Sequence, residues 1–150
     1  MEIFDIKLIK IGVEVSTKDL LLKMMSEELA RENIVSDEKA YLDVVKAREA
    51  DLSTGIGCGI GIPHGRHSGV AELKALVYIL KQDLEYESLD GKPVRIVIML
   101  AVPISCNSTY MKVLALISKA LHSKENRELL LNSNSIEEIY NFLQRIQNEI

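Results

Sequence analysis

Residues 53–66 have the sequence STGIGCGIGIPHGR, the most unusual stretch of the chain. Glycine occupies every second position from 55 to 61, and bulkier residues stand between the glycines. In an extended chain this spacing places the bulkier side chains on one face and bare backbone on the other. Because same-face glycines weaken a strand, we expect another backbone or a ligand to approach them closely, while the apolar face is buried.

Helical patterns precede the glycine-rich stretch. Ser16-Thr17-Lys18-Asp19 has the form of a capping box, with a hydroxyl acceptor at Ser16 and an acid three residues later. The apolar spacing after it predicts a helix over about 17–33. Ser36 is expected to cap a second helix that runs to about Ala50.

Strand-like patterns lie on both sides of these helices. Residues 6–15 are mostly apolar and rich in β-branched side chains, which predicts a strand or an extended lead-in. Residues 76–80 and 96–102 predict two further strands, separated by a turn at 90–93.

The last third of the chain returns to helical patterns. Ser108 is expected to open a third helix, and a capping box at Ser135 predicts a C-terminal helix. Helices and strands therefore alternate, without a composition shift or linker. The sequence predicts an α/β fold with a mixed β-sheet flanked by helices, in a single domain over residues 1–150.

Composition excludes several classes of protein. The net charge is −4 and no Lys/Arg block is present, so nucleic-acid binding is not expected. The longest apolar run, 96–102, falls far short of the roughly 20 residues of a membrane helix. The N-terminal residues include acids where a secretory signal has basic residues. Cys58 and Cys106 lack metal-ligand spacing, so we expect a cytoplasmic protein with reduced thiols and no direct membrane insertion.

The glycine spacing does not fit a nucleotide-binding loop. A G-x-G-x-x-G fingerprint that starts at Gly55, Gly57 or Gly59 would need a third glycine where the chain has Ile60, Ile62 or His64. Pro63 stands where the binding helix would begin, and no Lys-Ser or Lys-Thr pair follows. The sequence therefore favours neither a dinucleotide site nor a P-loop.

Pro63-His64-Gly65 presents a histidine on a stiff backbone. Proline restricts the entry to His64, and Gly65 is expected to leave the space beside the ring open. A neutral imidazole has a free lone pair and can act as a nucleophile. Glycine amides could bind phosphate oxygens, and Arg66, with Arg48, could balance their charge. A loop histidine that only binds a carbonyl is the open alternative.

The same residues carry a resemblance to a known family. The chain resembles the mannitol/fructose-type IIA domains of the bacterial phosphotransferase system, which include nitrogen-regulatory IIA proteins. The resemblance runs through Arg48-Glu49, Thr54 to Gly57, Gly59 to Arg66, Leu89 to Val94, Leu100 to Pro103 and Leu114 to Ser118. It implies a IIA-type domain over residues 1–150 with that family's mixed-sheet fold.

The resemblance also implies a function. His64 would take a phosphoryl group from phospho-HPr through Nε2 and pass it to a IIB component, so the chain would be a phosphotransferase with a phosphohistidine intermediate. Arg48 would stabilise the phosphate charge, and Thr54, Arg66 and Tyr110 are further candidate phosphate-binding residues. Neither a metal nor another cofactor is implied.

Two alternatives stay open at this point. The chain could be a nitrogen-type regulatory IIA protein, whose phosphorylation state controls partner proteins. A metal-dependent hydrolase with His64 and His67 would need a divalent ion, and no third ligand stands nearby.

Family members usually have a second histidine at the start of the third helix, where this chain has Tyr110.

Overall fold

The two apolar segments form the centre of a β-sheet in the computed structural model, which describes residues 2–106 and 108–150. They lie in β5 (Lys74–Leu84) and β6 (Val94–Pro103), which pair antiparallel. The N-terminal strand β1 (Phe4–Val13) pairs parallel with β5. The three predicted strands are therefore confirmed.

The glycine-rich stretch lies along the other edge of β6. Two short strands, β3 (Ile60–Gly61) and β4 (His64–His67), run parallel to β6 one after the other. The strand β2 (Gly55–Gly57) pairs antiparallel with β3. Parallel and antiparallel pairs thus occur in one sheet of six described strands, and the predicted mixed sheet is confirmed.

Helices cover both faces of this sheet. α1 (Lys18–Arg31) and α2 (Glu38–Asp51) pack on one face. α3 (Thr109–His122), α4 (Lys124–Asn132) and α5 (Ile136–Gln147) pack on the other. Side chains of β5 and β6 alternate between two apolar cores, as the pleat of a strand requires. The predicted α/β fold, one domain with helices on a mixed sheet, is confirmed.

The first two helices begin one residue later than predicted. Asp37 and not Ser36 caps α2, because its Oδ1 accepts a hydrogen bond from the backbone N–H of Ala40 at 3.0 Å. Thr17 and not Ser16 caps α1. In each case the predicted cap and its neighbour are both residue types that cap helices well. The local backbone conformation decides which of the two does so, and sequence spacing alone does not give that conformation.

The expected one-faced extended chain at 55–61 is wrong, because the chain reverses within it. Gly57, Cys58 and Gly59 have φ angles of 103°, 57° and 79°, in the left-handed region. The reversal makes a hairpin of β2 and β3. Ile56 on its first arm is 41% exposed, whereas Ile60 on its second arm is buried. The intervening side chains therefore do not share one buried face.

The expectation that other groups approach the glycines closely holds, most clearly at Gly55 and Gly61. A Cβ on Gly61 would lie 3.1 Å from Cζ of Tyr86, and a Cβ on Gly55 would overlap Ser88. In both cases the neighbour belongs to the protein itself. These glycines allow the loop that follows β5 to pack on the hairpin.

The sequence predicts that Gly65 leaves open space beside the His64 ring. This prediction is wrong, because Gly65 faces α2. A Cβ at this position would lie 2.9 Å from Cγ2 of Val45 and 3.0 Å from Cε1 of Tyr41. Both side chains are fully buried, and the Tyr41 hydroxyl donates to the Leu100 carbonyl at 2.8 Å. Gly65 thus lets α2 approach β4.

We expect Gly65→Ala to lower the free energy of unfolding by roughly 1–3 kcal/mol, because an extra methyl overfills this contact. Chemical denaturation of the two proteins measures the difference. Ser68→Ala, an exposed change in the turn after β4, is the control and is expected to stay close to wild type. Equal stability of Gly65→Ala and Ser68→Ala would contradict the packing argument.

Candidate functional site

His64 begins β4 and is half-buried at the edge of the sheet. Its backbone pairs with Leu100 of β6. Since Gly65 faces α2, the alternation of a strand points the His64 ring to the opposite face, where α3 begins. The ring centroid of Tyr110 on α3 lies 6.5 Å from that of His64, with 45° between the two planes. The structure thus brings together the two rings that the sequence had singled out.

One hydrogen bond fixes the tautomer of His64. Nδ1 lies 2.9 Å from the carbonyl oxygen of Ile62. A carbonyl oxygen only accepts, so Nδ1 carries a proton, and in the neutral imidazole Nε2 is then the nitrogen with the lone pair. The same bond fixes the ring plane. The neutral form of His64 is therefore held at Nδ1 and can react at Nε2.

Burial lowers the pKa of His64 below its usual value. The hydrogen bond to Ile62 and the negative charge of Glu49 act in the opposite direction, while the positive charge of Arg48 adds to the decrease. A lowered pKa keeps the imidazole uncharged near neutral pH, which is the form with a nucleophilic lone pair.

Arg48 lies in the last turn of α2, close enough to His64 for its charge to be felt there. Its Nη1 donates to the carbonyl of Leu52 at 2.6 Å, which ties the guanidinium to the end of its own helix. Within residues 2–106 and 108–150, Arg48 forms no ion pair with a carboxylate. Its positive charge is therefore available to an anion at His64.

Almost the whole chain matches the model of a known protein family. Residues 2–146 match the family described as the phosphoenolpyruvate-dependent sugar phosphotransferase system, EIIA 2. The chain belongs to this family. The family prediction made from the motifs around His64 is confirmed.

Relatives of this EIIA family member include both fructose-specific components and nitrogen regulatory proteins. It is 33% identical over 135 residues to the fructose-specific EIIABC component of Bacillus subtilis, covering 90% of this chain but only 21% of that much longer protein. The crystal structure of the nitrogen regulatory protein IIA-Ntr from Neisseria meningitidis has 30% identity and a TM-score of 0.89, covering 94% of this chain and 96% of the other.

A second similar structure contains a partner protein. It is the complex of the mannitol enzyme IIA with phosphorylated enzyme IIB from Escherichia coli. It has 20% identity and a TM-score of 0.80, with 95% of this chain and 99% of the other covered. At this identity the likeness shows a shared fold.

Thr54 lies in a buried network that the sequence analysis did not predict. Both carboxylate oxygens of Glu49 accept hydrogen bonds, Oε2 from the Thr54 N–H at 3.2 Å and Oε1 from the Thr54 hydroxyl and, at 3.3 Å, the Tyr86 hydroxyl. Lys18 Nζ lies 2.8 Å from Oε2 and 4.3 Å from the Tyr86 ring centroid. Direct contact of Thr54 with a phosphoryl group stays a prediction.

Only part of this network had a signal in the sequence. Glu49 belongs to the Arg48-Glu49 pair on which the family resemblance partly rests, so it was visible as a motif residue. Lys18 and Tyr86 lie far from it along the chain, and no spacing rule connects them. Their relation to the site follows from the tertiary structure alone.

Arg66 and His67 have different surroundings although they are adjacent. Arg66 is exposed, and its Nη2 donates to the carbonyl of Ile104 in the loop before α3. His67 points the other way along β4, and its Nδ1 accepts from the Gly69 N–H at 2.9 Å. Alternation along β4 thus places Arg66, and not His67, on the same side as His64.

The described part of the chain shows neither a metal-binding cluster nor a helix that could span a membrane. Across residues 2–106 and 108–150 there is no group of three or more His, Cys, Asp or Glu side chains arranged to hold a metal ion. In the same residues, each helix is too short or too polar to cross a bilayer.

Proposed function

We propose that this protein is a phosphoryl carrier of a sugar phosphotransferase system, with His64 as the residue that is phosphorylated. The observation that carries the proposal is the hydrogen bond from His64 Nδ1 to the Ile62 carbonyl. It assigns the proton to one nitrogen and leaves Nε2 as the nucleophile. Family membership supports phosphoryl transfer as the chemistry of this site.

The proposed reaction has two balanced steps. In the first, the Nε2 lone pair forms a bond to the phosphorus of phospho-HPr, and the bond between phosphorus and HPr breaks with its electron pair returning to HPr. In the second, a nucleophile of the IIB component attacks the same phosphorus, and the electron pair of the P–N bond returns to Nε2. Such a transfer depends on position and charge stabilisation more than on covalent work by the protein.

The surrounding residues have distinct proposed roles. Arg48 would neutralise the phosphoryl oxygens, since a guanidinium can bind two of them at once. Tyr110 would donate a hydrogen bond from α3, and Arg66 would add positive charge from the same strand as His64. Thr54 would act at the phosphate only if its hydroxyl left Glu49 and Tyr86.

Protein partners fit the surface around His64. Ile104 and Met111 on the α3 side are 51% and 60% exposed, and Leu52, whose carbonyl binds Arg48, is 57% exposed. Exposed apolar side chains around a reactive group suit docking of another protein. We propose HPr as donor and a IIB protein or domain as acceptor, as the complex of mannitol IIA with phosphorylated IIB suggests. A cytoplasmic location fits the two free cysteines.

Incubation with phosphoenolpyruvate, enzyme I and HPr, followed by intact-mass analysis, tests this function. We expect one phosphoryl group per chain, and we expect the group to leave when a IIB protein is added. A chain that keeps its original mass in the complete mixture, while HPr is phosphorylated, would contradict the proposal.

A regulatory role is the second candidate function, and the structural similarity to IIA-Ntr from Neisseria meningitidis favours it. The chemistry at His64 would be the same, but the phosphorylated and unphosphorylated forms would differ in their binding to a partner. Transfer to IIB separates the two functions. A phosphorylated protein that keeps its phosphoryl group with the IIB proteins of its own organism would favour the regulatory role.

The pH dependence of phosphoryl acceptance is expected to show one ionisation, that of His64. Tyr110 stands where family members usually have a second histidine, so the ionisation of a second imidazole is not expected. Because the pKa of His64 is lowered, the rate should stay level near neutrality and fall only as acid protonates His64, below the usual histidine range. The rate of phosphoryl acceptance from phospho-HPr, measured by quenching the reaction at set times at several pH values between 5 and 8, gives this profile.

Two variants separate the role of the Tyr110 hydroxyl from that of its ring. Tyr110→His should add a second ionisation. Tyr110→Phe, which keeps the ring, should slow transfer or shorten the lifetime of phospho-His64. Wild-type rates and profiles in both variants would show that Tyr110 only packs against the site.

A further inference from the structure

A buried carboxylate stands at the end of a chain of hydrogen bonds that leads to His64. We infer that Glu49, neutralised by Lys18, is a positioning residue for phosphoryl transfer. It anchors the backbone that holds the His64 ring and is kept away from the neighbouring Arg48 guanidinium. This inference rests on the proposed function of His64 and extends it to residues that do not touch the phosphoryl group.

The hydrogen-bond chain runs through the backbone of two residues, Thr54 and Ile62. Glu49 Oε2 accepts from the Thr54 N–H at 3.2 Å, and the Thr54 carbonyl accepts from the Ile62 N–H at 3.0 Å. The Ile62 carbonyl then accepts from His64 Nδ1 at 2.9 Å. These links join α2 to the residue before β2, that residue to the one after β3, and the latter to the His64 ring, so a shift at the carboxylate is passed to the reactive ring.

Lys18 forms an ion pair with Glu49 and holds its carboxylate in place. The two side chains are only 15% and 6% exposed, and their ionised groups are 2.8 Å apart. Without Lys18, the buried carboxylate would need another cation, and Arg48 is the preceding residue of the same helix. Pairing with Lys18 leaves Arg48 free for the phosphoryl group.

The charges that face His64 come from both sides of the sheet edge. Arg48 and Glu49 act from α2 with opposite signs, the Tyr110 ring faces it from α3, and Arg66 lies two residues away on β4. Glu49 raises the pKa of His64 and so offsets part of the effect of burial. Removal of its charge should therefore shift the His64 titration to lower pH.

Two variants of the full chain test the inference. Glu49→Gln keeps the shape of the side chain and removes its charge, so the pKa of His64, followed by NMR titration, should fall. Lys18→Met with Glu49→Ala removes the anchor without leaving a buried, unpaired ammonium. In this double variant, phosphoryl acceptance from HPr should slow at least about tenfold, because misplacement of reacting groups is costly in rate.

The matched control is a second buried carboxylate on the same face of the sheet. Glu28 of α1 accepts from the Tyr78 hydroxyl and lies 3.6 Å from Lys10 Nζ, with its side chain 7% exposed. Lys10→Met with Glu28→Ala should lose stability but keep the wild-type rate and the wild-type pKa of His64.

The outcomes separate this inference from the function on which it rests. A wild-type chain that takes no phosphoryl group would contradict the proposed function, while the His64 titration would still report on Glu49. Wild-type rate in the Lys18/Glu49 double variant, or an unchanged His64 pKa in Glu49→Gln, would overturn the positioning role. An equal loss of rate in the Lys10/Glu28 control would overturn it too, since the effect would then be general destabilisation.

Discussion

Replacing His64 with alanine is expected to abolish phosphorylation of this protein. The variant lacks the half-buried imidazole that lies on the α3 side of β4, beside both Arg48 and Tyr110. The imidazole makes no described contact that the core needs, since its hydrogen bond is to a carbonyl at the sheet edge. Folding should therefore persist. Intact-mass analysis after incubation with phosphoenolpyruvate, enzyme I and HPr measures the loss.

His67→Ala is the matched control, because His67 lies on the same short strand but points to its other side. Its Nδ1 is occupied by the Gly69 N–H, and it should accept no phosphoryl group. We expect this variant to be phosphorylated like wild type. A phosphoryl group found on His64→Ala and mapped to His67 or His122 would overturn the assignment of the site.

The central strands and the histidine were accessible from sequence because their signals are local. The runs at 76–80 and 96–102 are apolar over consecutive residues, which predicts strands, and the structure confirms them. Likewise, Pro63-His64-Gly65 indicated a stiffly held histidine. Its partner at Nδ1 is only two residues away, so the restriction acts within a single short segment.

The hairpin at 55–61 was not predictable from glycine spacing. Period-two alternation indicates an extended strand, but glycine also permits the left-handed φ angles that reverse a chain. Cys58 adopts a φ of 57° between two such glycines, and nothing about a cysteine indicates this. The spacing was therefore compatible with both structures, and tertiary packing against β6 selects the hairpin.

Short elements and long-range contacts account for the other gaps. α4 (Lys124–Asn132) was not predicted, since nine residues with Leu130 as the one buried side chain show no helical period. The pairing of Lys18 with Glu49 joins the start of α1 to the end of α2, and Tyr86 reaches it from the loop after β5. Such a network depends on how the layers pack, which residue types alone do not specify.

Arg48→Ala is expected to reduce the rate of phosphoryl acceptance by roughly 10²–10³-fold, as removal of one well-placed donor to a developing charge does elsewhere. Arg48→Lys should fold normally and fall between the two, because an ammonium supplies the charge without the two-pronged geometry. The loss should be accompanied by a rise in the pKa of His64, since the Arg48 charge contributes to its lowering. Rapid-quench transfer from phospho-HPr and NMR titration measure the two effects.

Arg95→Ala distinguishes this role from a structural one. Arg95 is also half-buried and also donates to backbone carbonyls, those of Leu80 and Lys81, but it lies at the start of β6. Its loss should cost stability and leave the transfer rate and the His64 titration unchanged. If Arg48→Ala behaved in the same way, the bond from Arg48 to the Leu52 carbonyl would be its whole function, and the charge that stabilises the phosphoryl group would have to come from Arg66 or from the partner protein.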